Sequence, residues 1–284
     1  MTAAAQATGR PRRSAGAFRF VQIALLAGLL WKVTFFYQAT QVYQLWPLRQ
    51  PFFPDWLRAA ETFAAAYLVA VLSIAATIVL PTGRLRQGFS WLSLAAISLL
   101  CLHQGSYNDA TFTTAWWTAL WSAWLAGRLT WLSSRSAATT VGAPPAELLD
   151  ERLYAQASRL AAAIVSLILL GGAVGKWTQE YWSGQALYEI YFVDRDYWLF
   201  NSLRSSSSAG GLRSIATWYS RAVVVIETAC GLALWLLPPR IAAMIGVVVL
   251  TSIALASNLY LFSVLLGPIA LASINFGARP AWRW

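Results

Sequence analysis

Residues 59–80 read AAETFAAAYLVAVLSIAATIVL, an apolar run in which Glu61 is the only charged side chain. The hydrocarbon core of a bilayer is about 30 Å thick, so a helix needs roughly 20 mainly apolar residues to cross it. Pro81 and Gly83 follow the run and are typical of a helix end. The stretch therefore predicts one membrane-spanning helix.

Similar apolar runs recur along the chain. Six of them are clear, at 18–37, 59–80, 88–103, 111–132, 153–174 and 215–237. The final stretch, 241–276, is too long for one span and divides best into two short helices at Ser257 and Asn258. The sequence thus predicts an all-α integral membrane protein, a single polytopic helical bundle of about eight transmembrane helices, with six to eight as the range.

The composition excludes several soluble classes of protein. Of the 284 residues, 58% are hydrophobic and 11% are charged, whereas ordinary soluble domains carry about 25% charged residues. Cys101 and Cys230 fall inside apolar runs and imply no disulfide framework. A single histidine rules out a multi-histidine metal site within the chain. We therefore predict no metal cofactor and no nucleic-acid partner, and we attribute the net charge of +10 to membrane topology and lipid contact.

The distribution of basic residues predicts the orientation. With the N-terminus inside, eleven arginines fall on the inner side and six basic residues on the outer side. We therefore predict that both termini are cytoplasmic and that the first apolar run is an uncleaved helix. The predicted organisation is a basic N-terminus (1–16), a transmembrane domain (17–277) with a cytoplasmic loop (133–152) and an extracytoplasmic segment (176–214), and a short tail (278–284).

Two polar clusters fall on the predicted outer face. His103, Asn108 and Asp109 lie at and after the end of the third run, and Lys176 follows the glycine-rich end of the fifth. Desolvation at such an edge favours a neutral amine, which can act as a general base, and a neighbouring histidine can position a polar ligand. We predict an outward-opening pocket lined by these residues and Trp182, with Lys176 and His103 as its catalytic groups. The alternative is that Lys176 extends to the headgroups and that His103 caps a helix end with Asn108.

Three further charged side chains lie at or near membrane depth and are predicted to contribute to ligand binding. Glu227 falls near the middle of the sixth run, where an ionised group normally needs a partner, and Lys32 in the first run is the predicted one. Arg221 lies nearer the outer face, where it could hold a headgroup, Glu189 or Asp194. Charges at membrane depth are also typical of transporters, so a transporter is the third function considered.

One segment resembles a known family. Residues 171–188 read GGAVGKWTQEYWSGQALY, which is similar to the lysine-to-tryptophan segment of the HTTM superfamily, the membrane domain shared with vitamin K-dependent gamma-carboxylase. The opening Phe18-Arg19-Phe20 and residues 103–107, HQGSY, resemble the family's start and its histidine motif. The likeness extends over roughly residues 15–277. It departs from the family at Leu102, where the family has an asparagine.

The resemblance implies a helical bundle that binds a reduced quinone, with Lys176 as the base that initiates oxygenation and His103 as a second required residue. In the carboxylase this step is coupled to carboxylation of peptide glutamates, a lyase-like activity. Since this chain ends at Trp284, we expect no large peptide-binding domain and no complete peptide carboxylase. The resemblance fits a short protein of the bacterial inner membrane. It would be a quinol-dependent carboxylase-like or redox enzyme, or a non-catalytic partner of a membrane protein or secreted peptide in toxin maturation or immunity.

Overall fold

The computed structural model describes residues 13–33, 37–38, 41, 45, 54–103, 110–137, 146–193, 196–257, 263, 266–267 and 269. Over these residues the protein is all-helical and contains no strand. The all-α prediction is therefore confirmed for this part of the chain.

Eleven α-helices and one π-helix follow one another along the described chain. They are α1 (Arg13–Trp31), α2 (Asp55–Arg58), α3 (Ala60–Val79), α4 (Arg84–Leu102), α5 (Ala110–Ala137), α6 (Ala146–Gly175), α7 (Gln179–Trp182), α8 (Gln185–Leu187), the π-helix Tyr188–Val193, α9 (Trp198–Ser206), α10 (Ala209–Leu236) and α11 (Pro239–Ser257).

Five described helices are long and apolar enough to cross a membrane. They are Arg13–Trp31, Ala60–Val79, Arg84–Leu102, Leu148–Gly175 and Ala209–Leu236, and Arg240–Ala256 is a shorter apolar helix. The predicted fourth span is helical as α5 but is not among these five. Most of the predicted eighth span lies outside the described residues. The fold is thus compatible with a membrane protein, and the count of eight spans stays a prediction.

The chain divides into two compact units. One lies within Met1–Leu160 with part of Val264–Ala272, and the other lies mainly within Ala161–Ser263, so the boundary falls inside α6. The prediction of a single bundle remains a prediction, and each unit is described below by itself.

In the first unit, α1 packs against α3 and α5, while α4 packs against α3 and α5. The buried side chains of α1 recur every three or four residues, which places them on one helix face. Polar contacts join α1 and α5 to the first part of α6. The Arg13 amide donates to Asp150 at 3.0 Å, Ser14 donates to the same carboxylate, and Trp121 Nε1 donates to the Ala157 carbonyl at 2.7 Å.

In the second unit, α10 carries a buried stripe that includes Ala216, Ser220, Val224 and Glu227, again at helical spacing. Gly231 brings α10 close to α6, since a Cβ there would lie 2.6 Å from a carbon of Leu170. Ser166 Oγ donates to the Gly231 carbonyl at 2.7 Å. A charged residue therefore sits on the same face of α10 that packs most closely against α6.

The described residues of the segment 176–214 are largely helical. Its short helices α7, α8 and α9 and the π-helix surround an aromatic cluster that also includes the first turns of α10, namely Leu187, Tyr191, Phe192, Tyr197, Phe200, Leu212 and Ala216. We call the described residues between 177 and 206 the cap. Its aromatic core gives a fixed position to side chains on α7.

Candidate functional site

The centre of the candidate site is an ion pair between Lys176 and Glu227. Lys176 comes directly after α6, and its Nζ lies 2.6 Å from Glu227 Oε2 on α10. The same Nζ donates to the carbonyl of Gly172 at 3.2 Å. The Lys176 side chain is 26% exposed and that of Glu227 11%, so the pair is largely removed from water. Water therefore screens the attraction between these two charges less than it would on an open surface.

Gly172 makes room for this pair. A Cβ at position 172 would lie 3.3 Å from Glu227 Oε2 and 3.4 Å from Lys176 Nζ. These distances are tighter than ordinary contact, so a larger residue would press on both charged groups at once. Of the three glycines at the end of α6, Gly172 is thus explained by the space that the ion pair needs.

The ring of Tyr181, in the cap, lies beside the ion pair. The ring centroid of Tyr181 is 6.0 Å from Lys176 Nζ, and the rings of Trp177 and Trp182 meet edge to face at 5.3 Å. Burial raises the pKa of the Tyr181 phenol above its ordinary value, and the negative charge of Glu227 raises it further. Tyr181 therefore keeps its proton at neutral pH and presents a neutral, amphipathic ring to the site.

Side chains of α10 hold the end of α7 in place. Ser220 Oγ donates to the Tyr181 carbonyl. Arg221 Nε donates to the Trp182 carbonyl at 3.3 Å, and Thr217 Oγ1 donates to the Ser183 carbonyl at 2.8 Å. Three side chains of α10 thus donate to three successive carbonyls at the end of α7.

Arg221 therefore has a different contact from those proposed from the sequence. It donates to the Trp182 carbonyl, while Glu189 accepts from Gln185 Nε2 at 3.1 Å. Asp194, the other suggested partner, lies outside the described residues. Of the sequence-predicted site residues, Lys176, Trp182, Arg221 and Glu227 are brought together in this one unit.

Glu227 has a cationic partner, as the sequence argument required, but the partner is Lys176. Lys32, the predicted one, donates from Nζ to Thr111 Oγ1 at 2.6 Å. α10 begins at Ala209, before the predicted span, and its first turns pack against the cap. The ion pair places Glu227 beside the end of α6.

His103 is a buried residue of the first unit. Its ring is 1% exposed, Nε2 lies 3.1 Å from the Ala59 carbonyl, and the Phe63 ring centroid is 4.9 Å away. Its backbone amide bonds to the carbonyls of Leu99 and Leu100 at the end of α4. The neutral tautomer with a proton on Nε2 fits these contacts, and they tie the end of α4 to the start of α3.

Burial lowers the pKa of His103 below its ordinary value of 6.5, although the carbonyls of Ala59 and Arg58 oppose the shift. An unfolded chain therefore binds more protons than the folded one as the pH falls through about 6.5, and the folded state loses stability there. We expect the melting temperature of the purified protein to fall between pH 7.5 and pH 5.5. His103→Gln, which keeps a side-chain N–H donor, should flatten that dependence. An equally steep fall in the variant would contradict this assignment.

The remaining predicted site residues, Asn108 and Asp109, lie outside the described residues. Since His103 and Lys176 belong to different units, the predicted pocket that joins them stays a prediction.

Sequence reasoning did not select three residues that shape the site. They are Gly172, Tyr181 and Ser220. The only available signal was their position within a turn or two of Lys176, Trp182 or Arg221, which does not distinguish them from other glycines and tyrosines of the segment.

Comparison of the chain with protein-family models, with curated proteins and with solved structures gives no match. Over the part of the chain that the structure describes, the fold and site define an all-helical protein with membrane-length apolar helices and a Lys–Glu pair at the end of one of them.

Proposed function

We propose that this chain is an HTTM-type membrane protein that binds a quinol-like amphiphile at Lys176 and Glu227 and accepts a proton from it. The observation that supports the proposal most strongly is the 2.6 Å contact between Lys176 Nζ and Glu227 Oε2 beside the aromatic ring of Tyr181. A phenolic ligand needs a proton acceptor, a cation for its anion and an apolar wall for its ring. This site supplies all three.

The pair can exchange a proton internally. When the ammonium of Lys176 transfers its proton to Glu227, an amine and a carboxylic acid result, with no change in net charge. The amine then takes the proton of a bound quinol, and the ammonium formed lies next to the quinolate. Tyr181, which remains protonated, can donate to the same oxygen. Positioned acid–base groups of this kind contribute roughly 10²–10⁴-fold to proton transfer.

In this proposal the chain resides in a bacterial inner membrane with both termini cytoplasmic and the cap outside. The cap then faces the side from which a secreted peptide or extracytoplasmic substrate would arrive. Lys176 with Glu227 carries the proton chemistry, and Trp182 and Arg221 hold the wall of the site. His103, which contacts Ala59, stays a candidate for positioning the ligand.

The test is native mass spectrometry with lipid extraction, using a naphthoquinol with a short isoprenyl tail as the added probe. Wild-type protein should retain the probe, and the Lys176→Met/Glu227→Gln double variant should lose at least roughly tenfold in affinity, since a charge-assisted hydrogen bond is removed. Arg213→Gln is the matched control, because Arg213 is an exposed cation of α10 that packs on Tyr188. Equal retention by all three proteins would refute the proposal.

A second candidate function is that of a non-catalytic partner that binds a secreted peptide or another membrane protein through the cap. The observation that favours it is the exposure of large apolar side chains there, with Trp198 64% and Val193 59% exposed on a folded support. Exposed aromatics on a rigid surface are typical anchors of protein interfaces. Co-purification should then depend on Trp198 and not on Lys176. The comparison of Trp198→Ser with Lys176→Met separates the two functions.

A further inference from the structure

Arg86 is a buried charged residue that the proposed function does not use. It lies in the first turn of α4 and is 2% exposed. Its guanidinium carbon is 4.1 Å from the centroid of the Phe18 ring, and Nη1 donates to Thr82 Oγ1 at 3.1 Å. Its Nε and Nη2 atoms are buried and have no hydrogen-bond partner among the residues that the structure describes.

The two unpaired nitrogens are chemically significant because they form one edge of the guanidinium. Their N–H bonds point in the same direction, with a spacing that matches two oxygens of one phosphate or carboxylate. Leaving such donors buried and unpaired is costly, more so because they carry positive charge. Stacking on Phe18 compensates part of that cost but satisfies neither N–H. The edge therefore has the geometry and the energetic need of an anion-binding group.

The end of α4 that carries Arg86 has further positive charge. Gly83 precedes α4, and no described side chain caps the backbone N–H groups of its first turn. Those groups and the helix dipole favour an anion at this end. Arg84 is exposed in the same turn, and Arg19 on α1 is close enough to repel Arg86.

A third unpaired donor lies on the face of α1 that carries Phe18. Gln22 is fully buried one helical turn after Phe18, and its Oε1 accepts from Thr77 Oγ1 at 3.2 Å. Its Nε2 has no partner in the described part of the chain. Unpaired polar groups thus recur where α1 meets the end of α3.

We propose that the Nε–Nη2 edge of Arg86 binds the phosphate group of an anionic ligand at the end of the bundle formed by α1, α3 and α4. These three helices are candidate membrane spans, so a lipid headgroup is one source of the phosphate at this depth, and free phosphate is the other. The site lies in the first unit and is independent of Lys176 and Glu227.

The experiment measures binding of phosphatidylglycerol to the full chain in detergent by native mass spectrometry. Arg86→Gln should weaken the tightest phosphatidylglycerol site at least roughly tenfold, because two charge-assisted hydrogen bonds are lost. Arg84→Gln removes the same charge from an exposed position two residues away and should change affinity by less than about threefold, since an exposed cation contributes little at close range. Equal affinities of the two variants would overturn the proposal.

Two further measurements complete the test. Arg86→Lys keeps the charge but lacks the two parallel N–H donors of Nε and Nη2, so it should bind phosphatidylglycerol with intermediate affinity. It replaces Arg86→Gln if that variant does not fold. Competition with inorganic phosphate identifies the source. Displacement of the bound lipid by phosphate supports a site for the phosphate group itself, whereas tight lipid binding without displacement supports a headgroup site. Lipid binding to Arg86→Lys at wild-type affinity, with phosphate inert, would contradict the assigned edge.

Discussion

Lys176→Met should lower the free energy of unfolding by about 3 kcal/mol, because it leaves the carboxylate of Glu227 largely buried without its cation. Removing one member of a buried pair costs about 3–5 kcal/mol in general, and the partial exposure of Lys176 places this case at the lower end. Glu227→Gln should cost less, since the amide oxygen can still accept from the ammonium. The measurement is unfolding in mixed micelles by titration with a denaturing detergent, followed by tryptophan fluorescence.

The double variant Lys176→Met/Glu227→Gln distinguishes pairing from packing. If the two side chains stabilise the fold through each other, the double variant should be more stable than the sum of the single effects predicts, by at least about 1 kcal/mol. Arg213→Gln on the same helix should cost less than about 1 kcal/mol, because its cation contacts the Tyr188 ring from an exposed position. Additive single effects would show that the ion pair does not stabilise the fold.

The helices were largely predictable from the sequence because length and apolarity set them locally. The run 59–80 corresponds to α3, Ala60–Val79, and the run 153–174 lies within α6. The ends were less accurate where polar residues continue a helix. α10 begins at Ala209, six residues before the predicted 215, because Ser208 accepts a hydrogen bond from the Gly211 amide and caps the helix there.

The contacts of the candidate site were less predictable because they depend on how helices pack. The sequence indicated that Glu227 needs a cation, since that is a property of one residue in an apolar run. It could not select Lys176 over Lys32, because the choice depends on the level of α10 relative to α6. Arg86 shows the same limit. Its position before an apolar run indicated only on which side of the membrane that end of the helix lies. The stacking on Phe18 and the unpaired Nε and Nη2 atoms depend on tertiary structure.

Gly184→Ala is the second substitution with a large expected effect. Gly184 has φ of +81°, a conformation that L side chains rarely adopt, and it lies between α7 and α8 in the segment that resembles the HTTM motif. A Cβ there would lie 2.5 Å from the Thr217 amide nitrogen and 2.6 Å from its Cα. Both are backbone atoms of α10, so the clash cannot be relieved by a change of rotamer.

The left-handed conformation alone costs an alanine about 1–2 kcal/mol, and overpacking adds about 1–3 kcal/mol. We therefore expect Gly184→Ala to lower the unfolding free energy by roughly 2–5 kcal/mol and to separate the cap from α10. Hydrogen–deuterium exchange should rise across residues 185–206, because the aromatic cluster loses its support on α10, while exchange in α3 and α4 stays unchanged.

Gly171→Ala is the matched control for this prediction. Gly171 belongs to the same motif, but a Cβ there would have no described atom within 4 Å. Since alanine favours a helix over glycine by about 1 kcal/mol, this substitution in α6 should leave stability unchanged or raise it slightly. A Gly184→Ala protein with wild-type exchange in the cap would mean that α7 and α8 do not rest on Thr217. The aromatic wall of the Lys176–Glu227 site would then lack the support from α10 that the proposed function requires.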